Sequence, residues 1–174
     1  MNKKHKPIIA VSACLLGKSV RYDGGHRRNS YVLNELIKQF ELTELCPEVS
    51  IGMGIPRPPI KLVGDIDQPK ALGVEDQNLD MTQKLEAYSY STMNKFKNIS
   101  GVILKKGSPS CGVQNVKVYN PNNDHYESKG KGIFARILIQ EYPSLPVIDE
   151  VMLNDAKQKQ NFIKSVLIRA TTIN

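Results

Sequence analysis

The sequence has no tryptophan, only 6% aromatic residues and no long apolar run. A membrane-crossing helix needs about 20 mostly apolar residues, so no bilayer span is expected. Without tryptophan or aromatics clustered on a basic face, the stacking platforms of single-strand nucleic-acid binders are lacking. Cysteine is sparse: Cys14, Cys46 and Cys111 are the whole set of three. An odd, thinly spread set is not the disulfide framework of a small secreted protein. No CxxC pair occurs either, so the usual closed zinc site is not written into the chain. Internal repeats, coiled-coil heptads and low-complexity tracts are also missing.

What remains is the composition of a soluble globular domain: 174 residues, 40% hydrophobic and 24% charged. That length is enough for one domain with a real core, and residues 1–174 are read as a single domain. With 24 basic against 17 acidic residues the formal charge is +7. Such a balance suits a polyanion or a phosphate-bearing partner, or merely reflects a lysine-rich surface.

The stretch "KKHKPIIAVSACLL" has two readings. Lysines, an apolar run and a cysteine resemble a lipoprotein signal. Yet Pro7 to Ala13 is at the short limit of such a segment and contains a proline and a serine. The expected reading is a buried strand that delivers Cys14 to the end of a sheet, in a cytoplasmic protein.

Further along, Asn29 or Ser30 caps a helix to about Gln39, and "FELTEL" is a second strand ending at "CPE". Residues 49–80, rich in Pro and Gly, read as a long functional loop. Asp80 and Gln83 form a capping box for a helix carrying Met81, Leu85, Tyr88 and Phe96. "ISGVIL" is a third strand, "VKVYNPNNDHYESKGKG" a short strand with a polar loop, "IFARILIQEY" a helix and "LPVID" a strand. A last helix aligns Phe162, Ile163, Val166, Leu167 and Ala170. Strands alternating with helices predict an α/β fold, a mostly parallel sheet with helices on both faces. Such sheets bind ligands beyond the carboxyl ends of their strands.

All three cysteines fall at that edge: Cys14 and Cys46 end strands, and Cys111 sits in the turn after the third. Converging thiolates suit a metal centre. An iron–sulfur cluster fits soft ligands, while a three-thiolate zinc site or unrelated thiols stay open. Glu48 is placed as a general acid or base, or is a plain surface carboxylate. Ser108 and Ser110 offer hydroxyls to a bound ring, or cap a helix. Ser12 is a buried strand residue within reach of the centre. Asp23 is a turn residue before Gly24, or it fixes Arg21 or Tyr22 at the site mouth. Arg57, stiffened in "PRPP", is aimed at a phosphate or carboxylate and Lys131 between glycines reaches an anion, or each is a solvated surface charge. Lys105 and Lys106 add charge at the same edge. His5, His26 and His125 share no spacing with the cysteines.

Taken in order, "VSACLLGKSVRYDGG", "CPEVSIGMGIPRPP", "GVILKKGSPSCG" and "GKGIFA" resemble the successive motifs of the thiouracil desulfidase family. The resemblance runs from about residue 8 to residue 135. It implies a single Rossmann-like domain whose Cys14, Cys46 and Cys111 hold a 4Fe–4S cluster with one iron not ligated by protein. It also implies non-redox desulfuration of a thiolated pyrimidine to the oxo-pyrimidine and hydrogen sulfide, with Glu48 activating water and Ser108 orienting the ring. Family members often carry glutamate where this chain has Lys61, a change that adds positive charge at the mouth. No second domain follows within these residues, so the expected substrate is 2- or 4-thiouracil or a small 4-thiouridine nucleotide rather than tRNA. A monomer or small homo-oligomer is expected. The alternatives are a basic RNA-binding or accessory module, a tRNA 4-thiouridine desulfidase, and a zinc hydrolase using the same thiolates.

Overall fold

The computed structural model of the chain describes residues 6–173. In chain order the strands are β1 (Ile8–Ser12), β2 (Glu41–Leu45), β3 (Ile60–Val63) and β4 (Lys70–Gly73). Then follow β5 (Gly101–Leu104), β6 (Val116–Tyr119), β7 (Tyr126–Gly130) and β8 (Val147–Asp149). Four of them form a parallel sheet in the order β2-β1-β5-β8. The apolar run once open to a signal-peptide reading is β1, paired on both sides, with Ile9 and Val11 fully buried.

Alternation along the strands builds two hydrophobic layers, because successive side chains leave a strand on opposite faces. Ile9, Val11 and Ile103 face one way and pack with Val32, Leu36, Phe40, Phe162 and Val166. The first three of those partners come from a π-helical turn (Val32–Leu36), which runs into the short α1 (Ile37–Gln39), and from Phe40 beyond it. Phe162 and Val166 belong to the closing helix α5 (Ala156–Thr172). Gly101 lets α5 lie this close: a Cβ there would come within 2.5 Å of Val166 Cγ2.

Ala10, Val102 and Leu104 face the other way, towards α3 (Thr82–Thr92) and α4 (Ile133–Glu141). Helices therefore cover both faces, as the strand–helix alternation predicted. Leu85, Phe134, Ile137 and Leu138 of these helices are all buried, in one cluster with Leu62, Ala71 and Val118 of a second sheet.

That second sheet is the main departure from the sequence reading. Its order is β4-β3-β6-β7, with β3 and β4 antiparallel, β3 and β6 parallel, and β6 and β7 antiparallel. The presumed loop of residues 49–80 contains the β3–β4 pair, and the presumed polar loop after β6 is a hairpin. The capping box at Asp80 is corrected as well. Asp80 Oδ1 accepts from Thr82 N at 2.8 Å, while Thr82 Oγ1 accepts from Ala71 N at 2.9 Å. The helix start is thereby sewn to β4. On α5, Leu167 is exposed rather than on the buried face.

Candidate active site

The carboxyl edge of the parallel sheet opens into a cavity of about 460 Å³, within the ~300–1,000 Å³ range of small-molecule sites. Its order places β1 and β5, which diverge to opposite sides in the chain's progress, at the switch point where such sheets bind ligands. Cys14, Cys46 and Cys111 all line this cavity, together with Ser12, Glu48, Arg57 and Ser108.

Each thiol arrives by a different local device. Cys14 sits in a single 3₁₀ turn (Ala13–Leu16) that Gly17 closes at φ 84°, a backbone angle at which a side chain would be strained. Cys46 follows β2 and precedes α2 (Pro47–Ser50), whose Val49 and Glu48 amides point at its sulfur. Cys111 lies in the turn after β5, where Ser108 Oγ accepts from Ser110 N at 3.2 Å and Cys111 N at 3.0 Å.

Burial pushes all three thiols up from their ordinary pKa, and Cys111 well above it. Cys46 adds to the effect on Cys14, against Lys105 and Arg21. For Cys46, the Val49 amide opposes burial; for Cys111, a hydrogen bond from Ser12 does so. Cys14 and Cys111 both feel Cys46, which shows how near the three stand.

Glu48 is held from both sides. Its Oε2 accepts from Arg57 Nε at 2.9 Å and lies 2.8 Å from Arg57 Nη2, and its Oε1 accepts from Ser110 Oγ at 2.9 Å. This corrects two expectations. The Arg57 guanidinium, only 3% exposed, is directed to Glu48 and not to a ligand anion. Ser110 is fully buried beneath the cavity wall, where its hydroxyl serves Glu48 rather than a bound ring.

Ser12 accepts from Lys105 N at 3.0 Å, joining the ends of β1 and β5 under the site. Arg21, Tyr22, Arg27, Lys105 and Lys106 form the mouth. Arg21 Nε is 3.4 Å from Asp23 Oδ1 yet is buried without a hydrogen-bond partner, while the guanidinium lies 5.3 Å from the Tyr22 ring centroid. Asp23 Oδ1 also accepts from Gly25 N at 3.0 Å, and that hydrogen bond lowers the Asp23 pKa. So Asp23 is a turn residue that also stands beside Arg21.

Lys131 is not part of this site; it lines a separate depression with Gln68, Lys129 and Arg136. Lys61 lies over the Tyr119 ring at 5.0 Å on the second sheet, away from the cavity lining that its neighbour Ile60 joins. His26 and His125 are exposed and outside the cavity, and His5 lies outside the described residues.

Three residues that build the site's surroundings were not singled out from the sequence. Arg27 is at the mouth, Glu150 pairs with Lys105 and accepts from Lys106 N, and Gly132 supports Cys111. Glu150 directly follows β8, so strand order alone puts it on this edge. Gly132 packs on the cysteine turn, donating to Gly112 O at 2.8 Å, and the next amide, Ile133 N, donates to Pro109 O at 3.0 Å. A Cβ at Gly132 would stand 2.5 Å from Ser110 O and 2.8 Å from Cys111 N. Gly132→Ala is therefore expected to destabilise the fold by ~1–3 kcal/mol and to lower metal loading in step, measured by thermal melts and iron analysis.

A family model described as 2-thiouracil desulfurase matches residues 9–150, a span that holds the three cysteines, Glu48, Arg57 and Ser108. The chain belongs to this family. It is similar to YbbK of Bacillus subtilis (strain 168), at 32% identity over 154 residues, covering 85% of this chain and 99% of that relative. Among solved structures it resembles the [4Fe-4S]-dependent thiouracil desulfidase TudS, with TM-score 0.69 and 30% identity over 91% of this chain and 99% of the other.

The donors gathered here fit a thiolate-held cluster. Three free, desolvated thiols share one cavity, and both Glu48 oxygens are already engaged by protein groups. Among the described residues, no three His, Cys, Asp or Glu side chains are close enough to hold a single metal ion. No helix among the described residues is long and apolar enough to cross a membrane.

Proposed function

We propose that this protein removes sulfur from a thiolated pyrimidine, giving the oxo-pyrimidine and hydrogen sulfide without net redox change. The reading takes residues 1–174 as one functional domain and is carried by one observation: three thiols from three strand ends share a cavity with a fixed carboxylate. Cys14, Cys46 and Cys111 would hold a 4Fe–4S cluster, leaving one iron free of protein ligands. When bound, the cluster supplies a soft Lewis acid for the substrate's sulfur.

The remaining work falls to the chain itself. Glu48 Oε1 keeps a lone pair beside its bond from Ser110, and there it takes a proton from the attacking water. Water's oxygen bonds to the ring carbon as the carbon–sulfur π bond opens, and Glu48 passes the first proton to the sulfur. Glu48 then takes the proton of the new hydroxyl, the carbonyl forms as the carbon–sulfur bond breaks, and that second proton goes to the departing sulfur to complete hydrogen sulfide. Ser108 Oγ already accepts from two amides, so its own hydroxyl proton is free to donate to the ring. Leu45, Pro47, Pro59 and Ile60 supply apolar walls against which a flat ring packs. At the mouth Arg21, Arg27 and Lys106 favour a substrate that carries an anionic group, such as a 4-thiouridine nucleotide.

The test is anaerobic reconstitution with iron and sulfide, followed by a panel of 2-thiouracil, 4-thiouracil, 4-thiouridine, its monophosphate and thiolated tRNA. Expected are a brown protein with about four irons per chain and sulfide release from the small compounds, fastest with the monophosphate. Colourless protein, or no sulfide from any compound, overturns the reading. Release from tRNA alone moves the substrate to a macromolecule.

A further inference from the structure

Arg57 was expected to grip a ligand anion, yet almost everything it can donate is taken up inside the protein. A guanidinium carries five N–H donors. Arg57 Nε and Nη2 both meet Glu48 Oε2, while Nη1 donates to Val20 O at 2.9 Å and to Gly54 O at 3.0 Å. Its own backbone N donates to Tyr22 O at 2.9 Å. Arg57 borders the cavity, but with 3% of its side chain exposed it has little surface to offer a substrate.

The partners come from two loops with separate duties. Val20 and Tyr22 belong to the loop after Cys14, whereas Glu48 and Gly54 belong to the segment after Cys46. From the turn of Cys111, Ser110 reaches the opposite carboxylate oxygen. The Arg57–Glu48 pair is thus where all three cysteine-bearing segments meet, and Arg57 fixes the orientation of Glu48. Both contacts fall on one oxygen, Oε2, which leaves Oε1 to Ser110.

We infer that Arg57 is a positioning residue that acts on the reaction only through Glu48, aiming its carboxylate into the cavity. This deepens the desulfidase reading and rests on it. Lysine cannot substitute, since one ammonium on a flexible stem does not span a carboxylate and two carbonyls held in a fixed fork.

A double-substitution cycle on the reconstituted enzyme tests it, using Arg57→Lys, Glu48→Gln and the pair, with kcat, KM, iron content and visible spectrum recorded. Arg57→Lys is expected to lower kcat by ~10–100-fold, the usual cost of losing a supporting hydrogen-bond partner. KM should stay within about twofold and the iron spectrum unchanged. Added to Glu48→Gln, the same substitution should change kcat by less than about threefold, because its route of action is already gone.

Raised KM with unchanged kcat would make Arg57 a substrate anchor, and lost iron would make it a scaffold for the cluster; either overturns the inference. Losses that multiply in the pair also overturn it while leaving the role of Glu48 intact. Full activity of Glu48→Gln alone removes both ideas together. Should Arg57→Lys not accumulate folded, Ser110→Ala removes the opposite hold on Glu48 without leaving a buried cation unpaired. It must likewise lose kcat alone and lose nothing further beside Glu48→Gln.

Discussion

Cys111→Ser is expected to leave a folded protein that neither loads its iron nor releases sulfide. Cys111 is 6% exposed, and burial raises its thiol pKa well above the ordinary value. That environment disfavours an unpaired anion, so the sulfur is stored as a thiol and becomes a thiolate only when a cation takes the proton's place. Serine is nearly isosteric, and its hydroxyl can keep the hydrogen bond with Ser12. Folding is therefore little disturbed, with the melting temperature within a few degrees of wild type. A hydroxyl, however, is a hard donor that does not ionise here, and a cluster needs soft thiolates. Loss of one of three ligands should cut iron loading and lower desulfuration by more than ~10³-fold, beyond the ~10–100-fold typical of a mere supporting residue. Iron analysis, visible absorption and sulfide release check this together. Retained iron with full activity would remove Cys111 from the ligand set.

Much of this edge was legible because strand ends obey simple rules. "PIIAVSAC" has the β-branched, unbroken apolar character of a central parallel strand, and parallel order places every following loop on one side. Three distant cysteines are thus neighbours on the strength of strand order alone. The second sheet stayed hidden for physical reasons. Strands β3 and β4 are four residues each and set among prolines and glycines, and β3 joins the rest of its sheet only through a distant partner, β6. Period-2 alternation cannot be read in so short a segment.

Single residues misled in a different way. Arg57 and Lys131 both looked like anion grips, because charge beside glycine or proline is a common signature of one. Which acceptor a charged side chain meets depends on loops brought together only by folding, and Arg57 met Glu48. In "GKG" the informative residue is Gly132, whose missing Cβ makes room for the Cys111 turn. Close approach of two backbones leaves no pattern in composition, only a glycine.

Glu48→Gln is the second large effect, and the partners of Glu48 show why glutamine is the right replacement. Truncation to alanine would strand the Arg57 guanidinium in a buried site, and breaking a buried pair typically costs ~3–5 kcal/mol. Glutamine keeps the shape and can turn its carbonyl oxygen to Arg57 Nε and Nη2. Its amide nitrogen then faces Ser110 Oγ, whose hydroxyl can rotate to accept. The neutral amide loses the charge-assisted part of the contact, at a cost of ~1–3 kcal/mol, so the protein should fold and bind iron. What it cannot do is take a proton from water. Removing a general base usually costs ~10²–10⁴-fold, and that loss should fall on kcat with KM nearly unchanged, since nothing that contacts the ring has moved. Iron content equal to wild type with kcat down by this factor is the expected result. Equal kcat would move the proton transfer to another group, and lost iron would show that the carboxylate holds the cysteine loops together.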